Sequence, residues 1–263
     1  MMAAIIFIPV FVFMFGSVVG SFLNVCIWRL PRKESIVFPP SHCPGCGYRI
    51  PFYDNIPIVS YLLLRGKCRS CGAPISLQYP LVELLTGLIT LLLFLRFGFS
   101  LGFGVLFVFC AALLVITFID LEHQIIPDVI SIPGIGVGFL CSFFIPQLGW
   151  LNSLLGILAG GGSLFIVAWC YHFFTGKEGM GGCDIKLLAM MGAFFGWKAV
   201  PFIIFASSLA GSIIGVSIML AQGKDRKLAI PFGPFLAFGA ILYIFYGPQL
   251  IHWYLRLGGT VGR

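Results

Sequence analysis

Acidic residues are scarce in this chain: nine Asp and Glu stand against sixteen Lys and Arg in 263 residues, and charged residues make up only 10%. So thin a polar coat excludes a soluble domain of this length, because 59% of the chain is hydrophobic and the mean hydropathy is +1.05. No segment has the composition of a disordered tract or a solenoid repeat, and there is no strand–turn–helix glycine fingerprint of a dinucleotide fold. The amino terminus also lacks the basic region of a secretory signal. Met1-Met2-Ala3-Ala4-Ile5-Ile6 carries no side-chain charge, and Arg29, Arg32 and Lys33 follow the first apolar run instead. That order predicts a retained helix with its amino terminus outside. The net charge of +7 does not point to nucleic acid, because the basic residues sit in loops between apolar runs. Lipid headgroups and topology account for them, and no nucleic-acid partner is expected.

What the chain has in abundance is long apolar runs. Eight are read as spans, at about 4–28, 80–96, 101–120, 128–146, 151–174, 184–197, 199–221 and 231–255, given that a crossing needs roughly 20 residues. The expected fold is an all-α polytopic membrane protein with about eight transmembrane helices and a small cytoplasmic loop domain. The chain divides into a first helix at 1–28, a loop at 29–79 and a seven-helix membrane domain at 80–263. Arg29, Arg32, Lys33, Arg49, Arg65, Lys67 and Arg69 fall in the first loop, with Lys177 and the Lys224, Arg226, Lys227 group in later loops of the same side. The opposite side holds Arg96, Lys198, Arg256 and Arg263. The asymmetry places the large loop in the cytoplasm and both termini in the periplasm.

Two of the rare carboxylates end up on that cytoplasmic face. Asp120 closes the third span in Ile116-Thr117-Phe118-Ile119-Asp120, and Asp184 opens the sixth. Ionisable groups at membrane depth are costly and mark function by default. Two on different helices suit acid–base chemistry, since neighbouring carboxylates share a proton rather than both ionising. A helix-end cap or a snorkelling carboxylate is the bland alternative for each. Asp128 follows Pro127 and fits an N-cap. Glu122 and His123 fit a solvated loop, and Lys186 is placed either to act on Asp184 or to hold a headgroup. Glu83, one turn into the second span, is a candidate contact for a substrate or cofactor ammonium, or else snorkels. Gly87 and Gly160-Gly161-Gly162 suit close helix approach.

The first loop carries two knuckles, Cys43-Pro44-Gly45-Cys46-Gly47 and Cys68-Arg69-Ser70-Cys71-Gly72. Paired CxxC elements suit tetrahedral thiolate binding of structural Zn²⁺ by Cys43, Cys46, Cys68 and Cys71, each following glycine letting the backbone turn beneath the metal. Disulfides are the poorer reading in a reducing cytoplasm. Four thiolates leave no open coordination position, and the metal would supply the folding energy of so small a loop. His42 beside Cys43 is read as solvated rather than as a substitute ligand or a hydrogen-bond partner of a sulfur. Cys26, Cys110, Cys141 and Cys170 have no ligand spacing and are read as small buried residues.

Several motifs together resemble a known family. Gly20-Ser21-Phe22-Leu23-Asn24-Val25, the two knuckles, Asn55-Ile56-Pro57-Ile58-Val59-Ser60-Tyr61, Tyr79-Pro80-Leu81-Val82-Glu83-Leu84, Ile119-Asp120 through Pro127-Asp128, and Gly179-Met180-Gly181-Gly182-Cys183-Asp184 occur in the order seen in type IV prepilin peptidases. These resemble the bifunctional leader peptidase/N-methyltransferases of the bacterial inner membrane, with aspartic proteolysis of the GxGD class. The resemblance implies catalytic roles for Asp120 and Asp184, and prepilins or pseudopilins as substrates cut after a leader glycine. It also implies methylation of the new amino terminus with S-adenosylmethionine, the zinc loop forming part of that centre. One position departs from the pattern: Cys183 stands where the family has glycine, which raises the question of backbone strain there. A peptidase without methylation, and an ion-coupled transporter with a zinc-bound docking loop, are the alternative readings. The oligomeric state is not specified by the sequence.

Overall fold

The computed structural model describes residues 2–145, 148–176, 181–222 and 231–258. Gly179 and Met180 of the glycine-rich motif, and Lys177, Lys224, Arg226, Lys227 and Arg263 of the topology count, lie outside the described residues. Among the described residues the structure is helical, with two isolated antiparallel bridges, His42 with Arg49 and Lys67 with Pro74, in place of any strand. The order is α1 (Met2–Arg29), a 3-10 turn (Phe52–Asn55), α2 (Val59–Leu63), α3 (Gln78–Phe97), α4 (Leu101–His123), α5 (Asp128–Cys141), α6 (Trp150–Thr175), α7 (Gly182–Phe195), α8 (Ala199–Gln222) and α9 (Gly233–Gly258). The chain forms two compact units, Met1–Ile119 and Asp120–Arg263.

In the first unit α1 lies against α3 through small residues. A Cβ on Gly20 would stand 2.7 Å from the Cα of Glu83, and one on Gly87 would meet Ser17 and Phe13. Backbones approach this closely only where side chains are absent, which is how apolar helices associate without a hydrophobic drive between them. Asn24 then donates from Nδ2 to the carbonyl of Tyr79 at 3.1 Å, a cross-helix bond that fixes the register.

The second unit is built around α7. Leu187 to Ala193 are all buried, as expected of a helix that is apolar on every side. Helix α6 runs antiparallel to it: Ser153 donates to the carbonyl of Ala193 at 2.7 Å, Gly156 abuts Gly192, and Gly160 abuts the carbonyl of Leu188. Of the three consecutive glycines, Gly160 and Gly161 face α7, whereas Gly162 meets nothing within 4 Å. Helix α5 runs parallel to α7, pairing Asp128 with Lys186 at their starts, then Gly134 with Met190 and Gly138 with Ala193 and Phe194. The starts of α5 and α7 therefore share one end of the unit, beside the carboxyl-terminal end of α6.

Among the described residues six helices are long and apolar enough to cross a membrane, two fewer than the eight spans expected. The expected fourth and sixth spans correspond to α5 and α7, of 14 residues each. At 1.5 Å per residue each rises roughly 21 Å, short of a hydrocarbon core of about 30 Å. Helix α5 stops at the turns of Ser142 to Phe144, and α7 stops at Gly196, whose φ of +78° ends the ladder. The cysteine reading also divides: Cys26 and Cys110 are buried, but Cys141 and Cys170 are half-exposed.

Candidate active site and metal centre

Asp120 lies one turn before the end of α4 and is 5% exposed. Its Oδ2 accepts the backbone N–H of Gly233 at 2.9 Å. Gly233 is the first residue of α9, so the bond comes from a helix amino terminus, where unpaired N–H groups and the dipole favour an anion. A Cβ on Gly233 would sit 2.6 Å from that same oxygen, so the approach requires glycine. Sequence reasoning missed Gly233. The only local signal is Pro231-Phe232-Gly233-Pro234, a proline-opened helix start.

Asp184 is the third residue of α7, half-buried in its first turn. It lies near enough to Asp120 for the two carboxyl groups to interact electrostatically. The structure thus brings the end of α4 and the starts of α7 and α9 together around two acids that are 64 positions apart (184 minus 120). Cys183 raises no conformational difficulty. It lies inside α7 and is absent from the positive-φ residues, which are Lys33, Ile58, Arg65 and Gln124 among the non-glycines described.

Three neighbours differ from expectation. Asp128 is not a cap: Pro127 occupies the N-cap position of α5 with no side-chain capping bond, and the Asp128 carboxylate instead takes the Lys186 ammonium at 2.7 and 2.8 Å. Lys186 consequently serves the α5–α7 contact rather than Asp184, from which it is rotated by roughly 200° on the helix. Glu122 is exposed as expected, though on the last turn of α4 rather than in a loop. His123 is not simply solvated, since its Nε2 is buried with no hydrogen-bond partner among the described residues.

In the first unit, the sulfurs of Cys43, Cys46, Cys68 and Cys71 all lie within 4.8 Å of one another. Tetrahedral Zn–S bonds of about 2.3 Å require sulfurs about 3.8 Å apart, and Cys43 and Cys71 are separated by 3.8 Å. The knuckles are alike. The N–H of Gly47 reaches the carbonyl of Cys43 at 2.8 Å, and that of Gly72 reaches Cys68 at 2.9 Å. Both glycines adopt positive φ, +70° and +72°, which a Cβ would disfavour. The donor set and its spacing fit a structural zinc ion. His42 stands outside it, its ring Nδ1 3.2 Å from the carbonyl of Pro40. Arg69, between the second pair of cysteines, grips Asp54 through Nε at 2.7 Å and a terminal nitrogen at 2.6 Å. That guanidinium holds the Asp54 carboxyl below the usual carboxylate range. Glu83 is buried rather than snorkelling, and its Oε2 accepts the N–H of Ile58 at 2.7 Å.

Comparison with known proteins gives a single direction. Residues 14–97 match the bacterial peptidase A24 N-terminal domain, and residues 107–216 match the type IV leader peptidase family. A prepilin leader peptidase/N-methyltransferase of Pseudomonas aeruginosa is 39% identical over 267 residues, covering 93% of this chain and 92% of that protein. The protein of that name from Xanthomonas campestris is 40% identical, covering 93% of each, and one from Aeromonas hydrophila is 36% identical, covering 93% and 92%. No solved structure gives a match. Two family domains in succession and near-full-length similarity set the transporter reading aside: the chain belongs to the type IV leader peptidase family.

Proposed function

We propose that this protein cleaves the leader of type IV prepilins or pseudopilins after a glycine, at the cytoplasmic face of the bacterial inner membrane, and then methylates the new amino terminus with S-adenosylmethionine as donor. Asp120 and Asp184 form the proteolytic pair. The observation that carries this reading is that the carboxyl groups of Asp120 and Asp184, from α4 and α7, lie within electrostatic reach of one another, the first oriented by the Gly233 N–H. One carboxylate takes a proton from water as its oxygen bonds to the scissile carbonyl carbon. The other carboxyl gives its proton to the departing amide nitrogen as the C–N bond breaks. A pair sharing one proton supplies both roles at once. Zinc held by Cys43, Cys46, Cys68 and Cys71 would stabilise the loop and, with four thiolates, take no part in hydrolysis. Both termini are periplasmic in this reading, and the loop at 29–79 is cytoplasmic and contributes to methylation.

The test is incubation of purified protein with a prepilin and S-adenosylmethionine, the products weighed by mass spectrometry. Wild type yields the shortened pilin with one added methyl. D120N and D184N each leave the leader attached while folding normally. Complete cleavage by either variant refutes the dyad, and a shortened but unmethylated wild-type product refutes the second activity.

A further inference from the structure

We infer that the segment Phe52–Leu63 is a membrane-docking element that enters the phospholipid leaflet beside α1 and α3, rather than a loop held in water. Two contacts fix its depth. The N–H of Ile58 is bound by Glu83, five residues inside the start of α3 at Gln78, a rise of roughly 7.5 Å along a helix. The Ser21 hydroxyl donates to Oδ1 of Asn55 at 3.4 Å, and Ser21 lies eight residues before the end of α1 at Arg29, about 12 Å. Helix α3 has 20 residues, a length of about 30 Å that matches the hydrocarbon core. The segment is therefore moored below the loop-side ends of both helices, not above them.

Its backbone is built for that mooring. Val59 donates to the carbonyl of Pro57 at 2.6 Å across Ile58, which adopts φ +64° and ψ −49°. This is the γ-turn of positive φ, a rare and strained form, and in a β-branched residue it persists only where surroundings enforce it. The buried Glu83 carboxylate provides the enforcement. Ser60 closes the turn from within, accepting the N–H of Ile56 at 3.1 Å and donating to the carbonyl of Tyr53 at 3.0 Å.

The outward side chains suit lipid. Phe52 is 87% exposed, Leu62 67%, Leu63 77% and Val59 48%. Such an apolar patch in water would be an aggregation liability, but at the acyl–headgroup border it is the expected face of an interfacial element. Arg65 and Lys67 follow immediately and are exposed, placed to meet lipid phosphates as the chain returns to the surface. The segment 29–79 as a whole holds seven basic residues against two acidic ones, and one of the two, Asp54, is neutralised by Arg69.

A benzophenone amino acid placed separately at Phe52, Leu62 and Leu63 of the full-length protein, in nanodiscs of phosphatidylethanolamine and phosphatidylglycerol, tests this directly. Illumination should attach phospholipid to the probe at two or more of the three positions, read as a lipid mass on the corresponding peptide. Crosslinks to residues 120–263 of the same chain, or to an added prepilin, would overturn the inference by naming a protein occupant. Unreacted probe at all three positions would overturn it by showing solvent there. Three independent positions keep the outcome decisive if one substitution disturbs the loop, and the readout does not depend on peptidase activity.

Discussion

Replacing Gly233 with alanine puts one methyl group directly against the Asp120 carboxyl. The added Cβ would lie 2.6 Å from Oδ2, 3.2 Å from Cγ and 3.5 Å from Cβ of Asp120. Ordinary contact begins near 3.4 Å, so the carboxylate oxygen must retreat by roughly 0.8 Å and its 2.9 Å bond from the Gly233 N–H must lengthen or bend. Displacement of a catalytic group by about 1 Å can cost about 10²-fold in rate, equivalent to about 2.7 kcal/mol of transition-state stabilisation. Stability should fall by less than a core cavity would cause, about 1–3 kcal/mol for local overpacking. The assay is single-turnover cleavage of a prepilin by purified G233A, beside G136A as the comparison. A Cβ on Gly136 meets nothing within 4 Å, and alanine is the better helix former. G136A should cleave at the wild-type rate and G233A about a hundredfold more slowly, with substrate affinity little changed. Wild-type cleavage by G233A would refute the claim that this N–H fixes Asp120 in its working position.

The remaining predictions address the scaffold. G156A should destabilise strongly, because its Cβ would strike the carbonyl of Gly192, backbone that cannot rotate away. G162A, facing open space, should melt with wild type in detergent. Purified protein should contain one zinc ion per chain by elemental analysis, and C43S should lose the metal and expose the loop at 29–79 to protease, because metal binding and folding are coupled in so small an element. The Asp54–Arg69 pair carries a definite sign. Because the folded carboxyl titrates below its unfolded value, its contribution is complete above the ordinary aspartate pKa of about 3.9 and disappears as pH falls through the folded value. Amide exchange in the loop should therefore be faster in D54N than in wild type at neutral pH, with the difference closing below about pH 4. A difference that persisted in strong acid would contradict the ionic origin of the contact.

The four-cysteine cluster was legible because ligand spacing leaves a local signature. Two CxxC elements with a following glycine specify ligands, turn and positive φ within five residues each, and the folded sulfurs converge as that spacing requires. Gly87 and Gly160 were legible for a related reason, since small residues in apolar runs have few uses besides close helix contact. The number of full spans was less so. Hydropathy averages across the Ser142–Phe144 turns and so lengthened the fourth span beyond the 14 residues of α5, and it counted as a crossing a sixth run of 14 residues that Gly196 ends. The conformational part of the Cys183 question is answered by its place within α7, where it needs no glycine conformation.

By itself the sequence determined the solvent of this protein, the pairing of its four loop cysteines and the identity of its rare acids, because composition, ligand spacing and charge at membrane depth are properties of short stretches. Only the tertiary structure decided how those acids are used. Asp128 reads locally as a cap and is paired with Lys186, 58 residues away. Glu83 reads as a contact for a substrate or cofactor ammonium, or as a snorkelling carboxylate, and holds the strained turn at Ile58. Asp120 takes its orienting N–H from Gly233, 113 residues downstream. Each partner is brought into range by helix packing set by small residues and their close backbones, and no local pattern records which distant N–H or ammonium that packing will deliver.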